Sequence, residues 1–107
     1  MAKKQFFELI YAPIIKDHLR AIDKKYYSLI QKTIEARLQF EPDQETKNRK
    51  PLKRPVEYGA DWEIRFGPNN RFRVFYQVDR SNKEVLILAI GEKEGSQLFI
   101  DGKEVYL

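Results

Sequence analysis

WEIRFGPNNRFRVFYQV, residues 62–78, is the stretch that decides the fold. Apolar and polar residues alternate through Trp62-Glu63-Ile64-Arg65-Phe66 and, apart from Phe75, through Phe72 to Val78. A period of two belongs to half-buried strands. Gly67-Pro68-Asn69-Asn70 between them is turn chemistry, so the pair should form an antiparallel hairpin. If Trp62, Ile64 and Phe66 point to the core, then Asp61, Glu63 and Arg65 point away, as do Arg71, Arg73, Phe75 and Gln77 on the next strand. The outward face is basic, with one aromatic ring. For Phe75, a second small cluster under the C-terminal segment is the favoured placement over base stacking.

Working outward, Arg80 to Lys83 is a turn into Val85-Leu86-Ile87-Leu88-Ala89-Ile90, apolar on both faces and therefore a central, covered strand. Leu98-Phe99-Ile100 and Lys103 to Leu107 flank Asp101-Gly102, a strong two-residue hairpin signal. Towards the N-terminus, Phe6 to Tyr11 reads as a strand and Pro13 suits the first turn of a helix. Ile15, Leu19 and Ile22 recur at helical spacing. Asp23 suits the cap of a second helix with a Tyr27, Ile30, Ile34, Leu38 stripe, stopped by Pro42. Asp43 to Arg54 is polar and aperiodic and reads as a loop. The expected fold is α+β in one domain spanning residues 1–107. Two N-terminal helices cover one face of a small, mainly antiparallel twisted sheet in β-α-α-β-β-β order, with a C-terminal hairpin.

Composition agrees with a packed globule: 42% of residues are hydrophobic and 13% aromatic, enough for one core in 107 residues. The absence of cysteine excludes disulfides and thiolate metal sites. With no long apolar run for a membrane span, a cytoplasmic location is expected. The net charge of +4 is concentrated: residues 47–73 hold eight Lys or Arg (Lys47, Arg49, Lys50, Lys53, Arg54, Arg65, Arg71, Arg73) against three acids, Glu57, Asp61 and Glu63. Clustered cations suit a polyanionic partner such as nucleic acid, although a solvated loop beside an ordinary strand surface has the same composition. Arginine pairs bidentately with phosphate, as a single-stranded RNA site requires. His18, the one histidine, lacks neighbouring metal-ligand types and is expected at the surface. No Gly-rich phosphate loop or Gly-x-Ser-x-Gly elbow is present, so nucleotide hydrolysis and acyl transfer find no support.

Lys50-Pro51-Leu52, Trp62-Glu63-Ile64-Arg65, Arg73-Val74-Phe75-Tyr76-Gln77-Val78 and Ile87-Leu88-Ala89-Ile90-Gly91-Glu92-Lys93, in that order after two helices, resemble the RelE/ParE superfamily of bacterial toxin-antitoxin toxins. The likeness runs from about Phe6 to Phe99; the order and spacing of its elements are more specific than any one of them. It implies a toxin held by a cognate antitoxin and, in the family's nucleases, metal-independent cleavage of messenger RNA on the ribosome with no cofactor. That chemistry turns a 2′-hydroxyl onto the adjacent phosphate and needs a base, positive charge and an acid. Carried over by position, Arg73 would hold the scissile phosphate with Arg65 beside it. Lys93 falls where many members have arginine, and Phe99 where many have a catalytic tyrosine. Lysine keeps the charge but not the fork, and phenylalanine transfers no proton. Glu63, flanked by the arginines, is the expected base; Tyr76 and Tyr106 are alternative hydroxyls, with Tyr76 better suited to the core. Lys47, Arg49, Lys50, Lys53, Arg54 and Arg71 are expected to contact RNA or ribosome. The alternative is a ParE-like gyrase inhibitor, or a catalytically weakened antitoxin-binding module, and Phe99 favours it.

Overall fold

The structure is a computed structural model, and it describes residues 6–53 and 59–106. Seven strands form one sheet: β1 (Glu8–Tyr11), β2 (Arg49–Pro51), β3 (Trp62–Phe66), β4 (Phe72–Asp79), β5 (Glu84–Glu94), β6 (Gln97–Ile100) and β7 (Lys103–Val105). Neighbours run in the order β2-β3-β4-β5-β6-β7, all antiparallel, while β1 lies parallel to the first half of β5. Helices α1 (Ile15–Arg20) and α2 (Tyr27–Leu38) pack on one face. The α+β fold is the one read from the pattern, with a single addition: the presumed loop from Asp43 to Arg54 contains β2, whose three residues are too few to show a period.

Local chemistry explains the turns. Gly67, at φ 86°, leads into Asn69 and Asn70, both at φ 53°, and closes the central hairpin. A Cβ at Gly67 would lie 2.7 Å from the ring of Phe72, so both conformation and space call for glycine. Asp101 and Gly102, at φ 55° and 72°, form the two-residue turn between β6 and β7. Asp23 accepts from the Lys25 N–H at 3.0 Å and caps a 3-10 turn that feeds α2, rather than α2 itself.

The main core lies between helices and sheet, where Ile15, Ile30, Ile34 and Leu38 meet Ile64, Phe66, Phe72, Val74, Tyr76 and Ile87. Tyr76 is fully buried and donates to the Pro42 carbonyl at 2.5 Å, which satisfies its hydroxyl, while burial raises its pKa by desolvation. A second cluster on the other face gathers Ala60, Phe75, Ala89, Leu98 and Ile100. It is the cluster anticipated for Phe75. A register shift makes it possible: Phe75 pairs with Ala89 but Tyr76 pairs with Ile87, leaving Leu88 as the extra residue of a β-bulge. Leu88 packs against the second cluster beside Ala89, while Ile87 and Ile90 serve the main core. A strand apolar on both faces is thereby covered on both.

His18 is not at the surface. It is 1% exposed, and its Nδ1 accepts the Ile90 N–H at 3.1 Å, tying α1 to β5. Spacing contained the signal, because His18 is one turn from both Ile15 and Ile22 and so shares their apolar side.

Candidate nucleic-acid interface

Strand register assembles a row of charged residues on the sheet face opposite the helices. Lys50 of β2 stands opposite Glu63 of β3, Arg65 opposite Arg73 of β4, and Arg73 opposite Gly91 of β5; Lys93 lies two residues further along β5, opposite Leu98. Directly opposed arginines repel. Glu63 relieves this: its Oε1 accepts from Arg65 Nε at 2.8 Å and from Arg73 Nη1 at 2.9 Å. Glu63 is 3% exposed and Arg73 7%. Burial pushes the Arg73 guanidinium below its ordinary pKa, with Arg65 acting the same way and Glu63 opposing them, yet a guanidinium remains charged. Its Nε is buried and has no hydrogen-bond partner among the described residues.

Arg65, Arg73 and Lys93 line one groove of about 640 Å³ with Asn69, Asn70 and Gly95. Arg73 and Lys93 also line a neighbouring groove of about 320 Å³ with Gln97, Glu104 and Tyr106. Of the four residues expected in catalysis, all lie on this face. Glu63 differs in its placement: beneath the guanidiniums it has almost no surface for a substrate and is positioned to align them.

The expected RNA-contacting cations divide. Lys47, Lys50 and Lys53 are exposed. Arg49 is buried, paired in register with Ile64, and donates to the carbonyls of Arg37, Glu41 and Gln44, where α2 ends and the chain turns. It closes the end of α2 and offers no charge to a partner, which corrects its placement among the RNA contacts. Arg71 borders the groove, but its guanidinium is paired with Glu92 and lies over the Tyr26 ring at 5.3 Å. That pairing raises its pKa, chiefly through the hydrogen bond to Glu92. Arg54 lies outside the described residues.

Phe99 pairs with Glu92, which stands opposite the core residue Phe72, and lines a hollow with His18 and Ile22 on the helix side. Its ring therefore points away from Arg73. Tyr106, with no periodic pattern to place it, is brought to the basic groove by the terminal hairpin.

A mainly antiparallel sheet, backed by helices on one face and presenting a braced arginine pair on the other, defines a small α+β domain. Residues 9–96 match the model of the ParE toxin of type II toxin-antitoxin systems, parDE, and the chain belongs to that family. Among solved structures, the crystal structure of the toxin-antitoxin complex RelBE2 from Mycobacterium tuberculosis contains a similar chain. The match has a TM-score of 0.68 and 19% sequence identity, covering 87% of this chain and 98% of the other, and it establishes a shared fold. No curated protein matches the chain.

Proposed function

We propose that this toxin is a ribosome-dependent, metal-independent endoribonuclease that cuts messenger RNA in the cytoplasm and so inhibits translation. The observation that carries the reading is Arg73, held by Glu63 and flanked by Arg65, beside a groove that all three cations, Arg65, Arg73 and Lys93, line. In cleavage, the 2′-hydroxyl oxygen attacks phosphorus, the bond to the 5′ oxygen breaks, and a 2′,3′-cyclic phosphate and a 5′-hydroxyl result. Negative charge grows on the phosphoryl oxygens, where preorganised guanidiniums stabilise it. Arg73 takes the phosphate, Arg65 and Lys93 add charge, and Glu63 fixes the angle of both arginines. The 2′-hydroxyl proton passes to solvent, and the 5′ oxygen takes one back. Lys47, Lys50 and Lys53 contact ribosomal or message phosphates, and a cognate antitoxin covers the domain in the resting cell.

A second reading, inhibition of gyrase, is favoured by one observation: the family-tyrosine position is Phe99, on the face away from Arg73. Incubating the purified chain with translating ribosomes and mapping message ends, beside a supercoiling assay, separates the two. Cleavage that disappears in Arg73→Ala supports the nuclease. Intact messages with blocked supercoiling support the alternative and overturn the nuclease.

A further inference from the structure

Glu63 is 3% exposed and its Oε1 is engaged by two arginines, so it is out of reach of a 2′-hydroxyl in the groove above it. A different carboxylate stands in the groove itself. Glu94, the last residue of β5, is exposed and lines the larger groove with Arg65, Arg73 and Lys93. Among the described residues that line this groove it is the one carboxylate, and it has no hydrogen-bond or ion-pair partner among the described residues. We infer that Glu94 is the general base of the cleavage: one of its carboxylate oxygens accepts the 2′-hydroxyl proton as the 2′ oxygen bonds to phosphorus. The assignment rests on the nuclease reading of this groove and adds the step by which the proton leaves for solvent.

A carboxylate at the wall of an anion groove works against binding, because it repels the phosphate that Arg73 and Lys93 attract. Proton transfer accounts for its presence, since an ionised carboxylate beside the sugar is a competent base. Its position suits the task. Strict alternation would set Glu94 on the helix side with Glu92, yet it lines both the hollow beside His18 and the basic groove. It therefore stands at the rim between the two faces, where β5 ends and Gly95, at φ 61°, turns the chain. A group at the rim reaches the sugar and leaves the guanidiniums to the phosphate. The other acids nearby are committed: Glu92 pairs with Arg71, and Glu104 accepts from Gln97 at 3.3 Å beside the neighbouring groove. In the complete step the 2′ oxygen–phosphorus bond forms, its proton moves to Glu94, and the phosphorus–5′ oxygen bond breaks. The 5′ oxygen takes a proton from solvent, and Glu94 returns its own to solvent.

Single-turnover cleavage of message on translating ribosomes tests this with the full chain and its Glu94→Gln, Glu94→Ala and Glu84→Gln variants. A positioned base is worth about a hundred- to ten-thousandfold in rate, and Glu94→Gln is expected to lose that much. Affinity for ribosomes carrying a 2′-O-methyl message, which cannot be cut, should stay the same or tighten, because a repulsive charge has gone. Formate, a small carboxylate, should speed Glu94→Ala, where it fits the vacated space, and leave Glu94→Gln unchanged. Glu84→Gln makes the same change of charge at the far end of β5 and should cut as the parent does. The inference is overturned if Glu94→Gln cuts within about threefold of the parent, far short of the loss of a base. It is overturned equally if rate and affinity fall together, or if formate gives Glu94→Ala nothing, since Glu94 then serves binding or structure. Equal cleavage by parent and Glu94→Gln defeats the base and leaves the nuclease reading standing. A parent that cuts no message defeats both.

Discussion

Arg65 and Arg73 are direct register partners on adjacent strands, and both donate to the same carboxylate oxygen of Glu63. Two cations are thereby held side by side, with one buried acid fixing their spacing. Removing the acid's charge leaves opposed guanidiniums with weaker compensation. Glu63→Gln is expected to cost about 2–4 kcal/mol of stability, toward the lower end for a broken buried pair because the amide oxygen still accepts a bond. Urea unfolding checks this, and a midpoint indistinguishable from the parent's would refute the brace. Message cleavage should fall with it, since the arginines lose their alignment.

Arg49 and its lysine neighbours should respond in opposite ways. Arg49→Met removes donors to three carbonyls at the end of α2 and is expected to destabilise by about 2–4 kcal/mol. The dependence of ribosome affinity on salt should stay as in the parent. Lys50→Ala with Lys53→Ala should leave the melting temperature within a degree or two but flatten that dependence, because each phosphate contact released removes a counterion contribution. An unchanged slope in the double variant would mean that these lysines only face solvent.

His18 makes stability sensitive to mild acid. Burial lowers its pKa from the ordinary histidine value, opposed by the nearby carboxylates of Asp101 and Asp17, and its Nδ1 must be unprotonated to accept the Ile90 N–H. A depressed histidine pKa means that the unfolded chain binds the proton more readily. The contribution is fully present above the unfolded value of about 6.5 and is lost as pH falls below it toward the folded value. Melting temperatures between pH 7.5 and 5 should therefore drop for the parent. His18→Asn, whose amide oxygen keeps an acceptor, should give a shallower decline, and equal slopes would count against the assignment.

Gly91 faces Arg73 across the strand pair and leaves room for the terminal hairpin to close over the second cluster. A Cβ there would stand 3.0 Å from side-chain carbons of both Leu98 and Ile100, and 3.1 Å from the Phe99 carbonyl oxygen. The backbone oxygen cannot rotate away. Gly91→Ala is expected to destabilise by about 1–3 kcal/mol, the usual range for overpacking. Denaturant midpoints measure the effect, and a loss under about 0.5 kcal/mol would show that the strands separate more easily than the packing implies.

Phe99→Tyr is expected to add nothing to cleavage. Phe99 lines the hollow beside His18, so a hydroxyl placed there meets the helix side and not the Arg73 groove. End-mapping on ribosomes with parent and variant is the check, and a clear gain in rate would require the ring to turn to the other face.

Much of the fold was legible in the sequence because strand and helix periods are local properties. Alternation through Trp62–Phe66 and Phe72–Val78, the Asp101-Gly102 turn and the Ile30, Ile34, Leu38 stripe each fit within a few residues, and each is found. Alternation also placed Glu63, Arg65 and Arg73 on one face, because side-chain direction in a strand follows from parity. Tertiary structure decided what parity does not contain. Pairing with Ile64 turned Arg49 inward, where the carbonyls at the end of α2 needed donors. The bulge at Leu88 sent Ile87 and Ile90 to the main core and Leu88 and Ala89 to the second cluster, and strand pairing through Glu92 set Phe99 on the helix side. The terminal hairpin brought Tyr106 to Arg73 from thirty-three positions away. These are long-range relationships, set by which backbone groups pair and which charges must be buried together. A single local stretch carries no record of its partner.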